Sequence, residues 1–363
     1  MKAKPIEIIK NVLIVLLTLS AVYLVCVNWG NMDIRSLLEK KETVDLPEQT
    51  ADALKTQEVI KPLQEGIWIG DEFRETETWP TFLESLRSLG ETSGANAQEL
   101  TEAKIYMQKE CWYLYIKFAE GLPFEGFCKQ FGIASANFGN VSNLAELRYY
   151  AEDSGAIYLL EEKSRRIYRL GVSNEACANL RKMISQEETA FPIIEKKPHF
   201  YESTLAFTDE NIRENEVDSF AKGFFGDGFD FVRRVEDSQG TLTYMYGYNK
   251  KVLTVTKSGS IEYKEELEPA EIAQGFYASL GTALQFATLH GGWYDYASPV
   301  LAKAESITNE HRQGYRFTMD FRIGEETLPN TWRITAEVYD GQVTYYKRNI
   351  ITAMNRTEET GKE

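Results

Sequence analysis

The sequence predicts an α+β protein: a single N-terminal transmembrane helix, then an α+β domain, then two repeated units of one helix and an antiparallel sheet. Three observations predict it. Residues 12–29 form an 18-residue apolar run in which 11 residues are Leu, Ile or Val. Beyond it, short stretches alternate apolar and polar residues as half-buried strands do, with stretches of helical period between them. The C-terminal half then shows one succession twice, a helix followed by strands, with glycine turns at matching places.

At 1.5 Å per residue, the run from Val12 to Trp29 is about 27 Å long, close to the hydrocarbon core of a bilayer. Lys2, Lys4 and Lys10 precede it against Glu7 alone. That bias holds the N-terminus in the cytoplasm and sends the residues after 30 outside the cell membrane. A cleaved signal peptide needs small residues at its cleavage site. Here the core ends Val22-Tyr23-Leu24-Val25-Cys26, so the anchor is expected to be retained, and Val25 also disfavours lipoprotein processing at Cys26. On a helix, Asn11, Thr18, Ala21, Val25 and Asn28 fall within an arc of about 100°. Small and hydrogen-bonding residues on one face let helices pair in lipid, so this arc is the candidate transmembrane partner face. The alternative is chance placement in an ordinary anchor, since Ser20 lies opposite.

The chain carries a net charge of −15. A surface of that sign repels nucleic acid and anionic headgroups, so no nucleic-acid partner is expected. With 20 Tyr, 19 Phe and 6 Trp, the external part has the aromatic content of a folded chain, not a disordered one. Cys111, Cys128 and Cys177 are far apart and odd in number, which implies no disulfide framework; one bridge or buried free thiols both fit.

Residues 1–30 are read as cytoplasmic tip and anchor, and the charged, glycine-poor residues 31–65 as a juxtamembrane stalk. The N-terminal α+β domain spans 66–200. In it, Gly66–Ile69 reads as a strand and Trp79–Leu89 as a helix. Cys111–Phe118 is a half-buried strand, with Trp112, Leu114, Ile116 and Phe118 on its core face. Glu146–Ala151, Ala156–Leu160 and Arg166–Leu170 form a meander, closed by a helix at Asn174–Ser185. The first helix-plus-sheet unit spans 201–267 and the second 268–350. Val217–Phe225 matches Glu271–Leu289, Thr241–Tyr248 matches Tyr315–Ile323, and Val252–Thr256 matches Trp332–Tyr339. In each closing strand a Tyr follows the turn glycine by four residues, Gly259 to Tyr263 and Gly341 to Tyr345. Asp340-Gly341 between alternating stretches is a hairpin signal. Residues 351–363 are polar and are expected to form a flexible tail.

No catalytic, cofactor-binding or metal-ligating residues are expected. His199, His290 and His311 form no zinc motif, and no cysteine pair has metal spacing. His290 before Gly291-Gly292 fits a helix C-terminus. Ser219-Phe220-Ala221-Lys222 and Lys257-Ser258-Gly259 match two pieces of the penicillin-binding set, but the lysines lie too close in sequence and the middle element is missing. Asp227-Gly228-Phe229-Asp230 lacks the further acids of a calcium loop and fits a helix-to-strand turn.

Three marks occur together: the opening Met1–Lys10 leading straight into the anchor, the meander from Tyr149 through Leu160 to Arg166-Ile167-Tyr168, and the ending Asp340-Gly341-Gln342-Val343-Thr344-Tyr345-Tyr346-Lys347-Arg348. The chain thereby resembles the YycH/YycI family, in its YycH branch. These are membrane-anchored accessory proteins of the WalK–WalR two-component system of low-GC Gram-positive bacteria. The resemblance implies a non-enzymatic regulator of a cell-wall sensor histidine kinase. It implies contact with the WalK-like kinase through transmembrane helices, and an external partner of YycH/YycI type. The repeated units are also similar to PepSY modules, which implies as an alternative an external peptidase-binding or inhibitory module.

Overall fold

The computed structural model describes residues 54–88, 97–100, 112–134, most of 138–187, 199–205, 214–268, 273–309 and 311–358. The predicted anchor and its partner face lie outside these residues. The chain enters through a helical turn, α1 (Thr56–Val59), whose Val59 is wholly buried with its neighbour Ile60. Residues 56–65, expected as the end of a stalk, belong instead to the folded body. Val59 and Ile60 are an apolar pair in a charged stretch, and burial of each stabilises by about 1.5–3 kcal/mol, which draws this segment into the body.

The hairpin β1 (Gln64–Ile69) and β2 (Glu72–Glu75) turns at Gly70. Helix α2 (Trp79–Ser88) buries Phe82 and Leu86, and β3 (Ala97–Leu100) follows. The long β4 (Trp112–Pro123) ends on a proline that leads into α3 (Phe124–Phe131). In α3, Phe124, Phe127, Cys128 and Phe131 fall on one buried face, and Gly132, left-handed at φ 68°, stops the helix. The meander β5 (Asn143–Tyr150), β6 (Ala156–Glu161) and β7 (Arg166–Gly171) is followed by α4 (Ala178–Glu187). Leu114, Ile116 and Phe118 of β4 are wholly buried. The other face of β4 is less open than its alternation implies: Tyr115 is also buried, and Arg148 lies over the rings of Tyr113 and Tyr115 at 5.6 and 5.7 Å.

After β8 (His199–Leu205) come α5 (Glu214–Phe225), a 3-10 helix at Gly226–Phe231, and four strands: β9 (Arg233–Glu236), β10 (Leu242–Tyr246), β11 (Lys251–Val255) and β12 (Ser260–Glu265). The second succession is α6 (Phe276–Leu289), β13 (Ser298–Asn309), β14 (Arg312–Ile323) with the short β15 (Glu326–Thr327) against its end, β16 (Ile334–Tyr339) and β17 (Gln342–Asn349). Residues 351–358, expected as loose tail, form β18 (Ile351–Glu358), antiparallel to β8.

Among the described residues one large sheet runs in the order β3-β7-β6-β5-β4-β13-β14-β16-β17-β12-β11-β10-β9. The protein is thus a mixed α+β fold dominated by a single sheet. Both successions are antiparallel meanders after a helix, and they meet at their last strands, β12 against β17. The meeting pair is Tyr263 and Tyr346, both buried. The tyrosine equivalent to Tyr263 is therefore Tyr346 and not Tyr345. The cause is a bulge: Val338 faces Val343 while Glu337 faces Tyr345, which leaves Thr344 as an extra residue and flips the parity beyond it. The N-terminal strands join the second meander through a parallel contact of β4 with β13, Glu120 facing Lys303. Gly121 beside it has φ 86°, and a Cβ there would stand 2.6 Å from the Ala304 carbonyl oxygen, so only glycine allows the strands this approach.

Candidate functional site

Along one edge of β4, β1 pairs with its first half and β13 meets its second. A cleft of about 590 Å³ opens at that fork, lined among others by Lys61, Glu65, Glu75, Glu77, Trp79 and Arg322. Arg322, on β14, closes one wall. It donates to the Pro62 carbonyl at 2.7 Å, to the Leu63 carbonyl, and to Thr327 Oγ1 at 3.3 Å. Burial pushes its pKa below the usual arginine value, but a guanidinium has ample margin to stay charged. Glu65, on β1, shapes the other wall. Helix α2 begins with unpaired N–H groups, and the Glu65 carboxylate accepts from the backbone N–H of Thr78 at 2.7 Å and of Trp79 at 2.6 Å. Negative charge at that helix end is favourable. Trp79 stands behind, its ring 5.1 Å from Phe118 and 5.4 Å from Phe131. Glu75, Glu77 and Glu325 leave the rim acidic. Its carboxylates outnumber Lys61 and Arg322, which favours a polar or cationic group over an anion there.

A second polar centre lies where α6 ends against β17. Arg348 is 1% exposed. It donates to the Gly292 carbonyl and to the Tyr294 hydroxyl, both at 3.0 Å, and the Tyr346 hydroxyl donates to the His290 carbonyl at 3.3 Å. A buried charge needs compensation; here the negative end of α6 and the tyrosine oxygens provide it. Gly291, at φ 121°, makes room, since a Cβ there would lie 2.7 Å from Arg348 Nη1. His290 caps α6, as its sequence setting predicts, and stacks on Phe224 at 4.0 Å. Burial lowers its pKa to about 4, so it is neutral at pH 7. This centre is structural: it fastens a helix end to the sheet.

The other sequence candidates fall apart in space or lie outside the described residues. Asn11, Thr18, Ala21, Val25 and Asn28 are among the latter. Ser219 and Lys222 are exposed on α5. Lys257 belongs to the β11–β12 turn and crosses Gly240 in a neighbouring turn. Asp227–Asp230 lies in the 3-10 helix between α5 and β9. Cys128 and Cys177 are buried free thiols, and burial pushes their pKa values up to about 12 and about 11. The sequence reading missed Arg322 and Glu65, because nothing local announces a side chain that bonds 260 residues away. Arg348 was readable in part: once past the bulge it shares the inward parity of Tyr346.

No protein-family profile and no curated protein matches the sequence. Among solved structures, the chain is similar to the crystal structure of YycH from Bacillus subtilis. The TM-score is 0.52 at 13% identity, over 84% of this chain and 85% of that one. The fold is YycH-like. At that identity the likeness speaks for the fold and not for a shared activity.

Proposed function

We propose that the chain is a non-enzymatic, membrane-anchored regulator of a WalK-like sensor histidine kinase. One N-terminal helix crosses the cell membrane with the N-terminus in the cytoplasm, and the α+β body lies outside. The observation that carries the reading is the YycH-like fold over most of both chains. The lysine-flanked apolar run at residues 12–29 supports it independently. In lipid, helices gain no hydrophobic energy by meeting, so a specific contact relies on close packing and a few polar groups. Asn11, Thr18, Ala21, Val25 and Asn28 supply both on one face. Outside, the acidic cleft at Arg322 is the place for a second contact, with the kinase or with a YycH/YycI-type partner.

The test is recovery of partners with the full chain from its own membranes. The wild type brings down a sensor kinase. Thr18→Leu with Ala21→Leu blocks close helix approach while keeping the segment apolar, and loses the kinase without losing expression; Ser20→Leu on the opposite face does not. Equal recovery with the double variant removes the face from the account, and recovery of a peptidase in place of a kinase overturns the reading.

A further inference from the structure

Strand β9 ends the large sheet, and among the described residues no strand pairs with its outer edge. Its inner edge pairs with β10, Val235 facing Thr243 and Arg234 facing Tyr244. All four residues of β9 are exposed, Val235 at 38%. Phe231, just before the strand, is 80% exposed. An open edge offers a row of unpaired N–H and C=O groups to another strand, and edges are commonly protected by charge. The charges here are arranged in a particular way. Arg233-Arg234-Val235-Glu236-Asp237 carries two positive residues, an apolar centre and two negative residues.

We propose that β9 is a self-association edge, at which two copies of this chain join their sheets antiparallel about a two-fold axis through Val235. The register follows from geometry. A two-fold axis normal to a sheet keeps each residue on its own face, so opposed residues have the same parity. Centred on Val235, it sets Val235 against Val235, Arg234 against Glu236 of the second copy, and Arg233 against Asp237 of the second copy. Each of the four cross-strand charge pairs is then of opposite sign, which favours the contact, whereas like charges directly opposed would disfavour it. A parallel pairing in register would instead set arginine against arginine. The contact is isologous and closes with two copies, and it needs no other partner. It leaves free the cleft at Arg322, which lies at the β4–β13 fork and not at this edge. The proposal does not rest on the kinase reading.

Disulfide trapping in membranes that hold the full chain tests the register. Opposed Cα atoms in an antiparallel pair stand about 4.5–5.5 Å apart, within reach of a disulfide. Val235→Cys therefore gives a cross-linked dimer under mild oxidation, above the background of the native cysteines. Arg233→Cys is the control: its copies stand about 14 Å apart in this register and give no band above background. In the Val235→Cys chain, adding Arg234→Glu or Glu236→Arg sets like charges against each other, and each loses the band. Producing the two charge variants together restores it between them, which also shows that both are folded. Sedimentation of the unaltered chain in mild detergent gives a dimer that dissociates on dilution. Three results overturn the proposal: a monomer at all concentrations, a Val235→Cys band no stronger than that of Arg233→Cys, or a band that survives either charge reversal.

Discussion

In residues 268–350 the first two strands run to 12 residues each, the helix α6 buries seven side chains, and a charged arginine sits in the core. In the first meander, β9 to β12, the strands have four to six residues, and β9 is exposed along its whole length. The order of elements is the same in both. What differs is the setting. The second meander stands between β4 and the first meander, with neighbours on both sides, while the first meander ends the sheet. An interior position permits a buried charge because backbone and hydroxyl partners can be brought to it from several elements. An end position leaves arginines at the surface, Arg234 paired there with Asp218, and an edge open to other chains. The same order of elements thus yields a stiff centre in one place and a contact surface in the other.

The arginines separate the two regions most sharply. Arg348→Ala removes a buried cation from the Gly292 carbonyl and the Tyr294 hydroxyl, leaves the Tyr294 oxygen only its bond from the Ile351 N–H, and opens a cavity. The expected loss is about 3–5 kcal/mol, read by denaturant unfolding. Arg234→Ala, in the first meander, breaks an ion pair with Asp218 at 3.6 Å between partly exposed side chains, and the expected loss is at most about 1 kcal/mol. Equal losses would mean that the sheet position of the two meanders does not govern their energetics.

The next effect is in pH. His290 has a folded pKa of about 4, below its ordinary 6.5, because burial disfavours its cation. Between pH 6.5 and 4 the unfolded chain therefore holds the proton more readily, and stability falls as pH drops through that window; above 6.5 the group contributes no pH dependence. The full loss is roughly 3 kcal/mol. Thermal melts of the wild type and of His290→Leu across the window check this, and the variant is flatter. Wild-type and variant curves of equal slope would place the acid sensitivity elsewhere.

Smaller still is the joint between α6 and α3. Tyr277 lies against Gly126, and its hydroxyl donates to the Pro123 carbonyl at 2.8 Å. Tyr277→Phe keeps the ring and loses the bond, with an expected cost of about 1 kcal/mol. Gly126→Leu drives a side chain into the ring and costs more, about 1–3 kcal/mol. If the two variants cost the same, the hydrogen bond and not the close approach holds the joint.

Sequence alone reached much of the fold. The alternation of Leu114, Ile116 and Phe118 located β4, the Asp340-Gly341 turn located the β16–β17 hairpin, and Trp332, Ile334, Ala336 and Val338 are buried as their spacing predicts. Among the strands that escaped it, β13 and β9 did so for physical reasons. In β13 Pro299, Val300 and Leu301 are buried in succession, and a register shift between Leu301 and Lys303 then breaks the period again, so no alternation marks the strand. In β9 all residues are exposed, and an edge strand with no buried face carries no apolar alternation to read. The tail at 351–358 looked loose because its partner β8 lies some 150 residues earlier, which no local pattern records. The cleft was invisible for the same reason: it is made by β1, β13 and β14 meeting at one edge of β4. The face proposed at Asn11, Thr18, Ala21, Val25 and Asn28 lies outside the described residues.

The central claim, regulation of a sensor kinase across the membrane, is tested most directly by the kinase's own autophosphorylation in membranes. The measurement compares the kinase alone, with the wild-type chain, and with the Thr18→Leu/Ala21→Leu variant present at equal amounts. The account predicts that the wild-type chain changes the autophosphorylation rate and that the double variant leaves it at the level of the kinase alone. A rate unaltered by the wild-type chain would contradict the account.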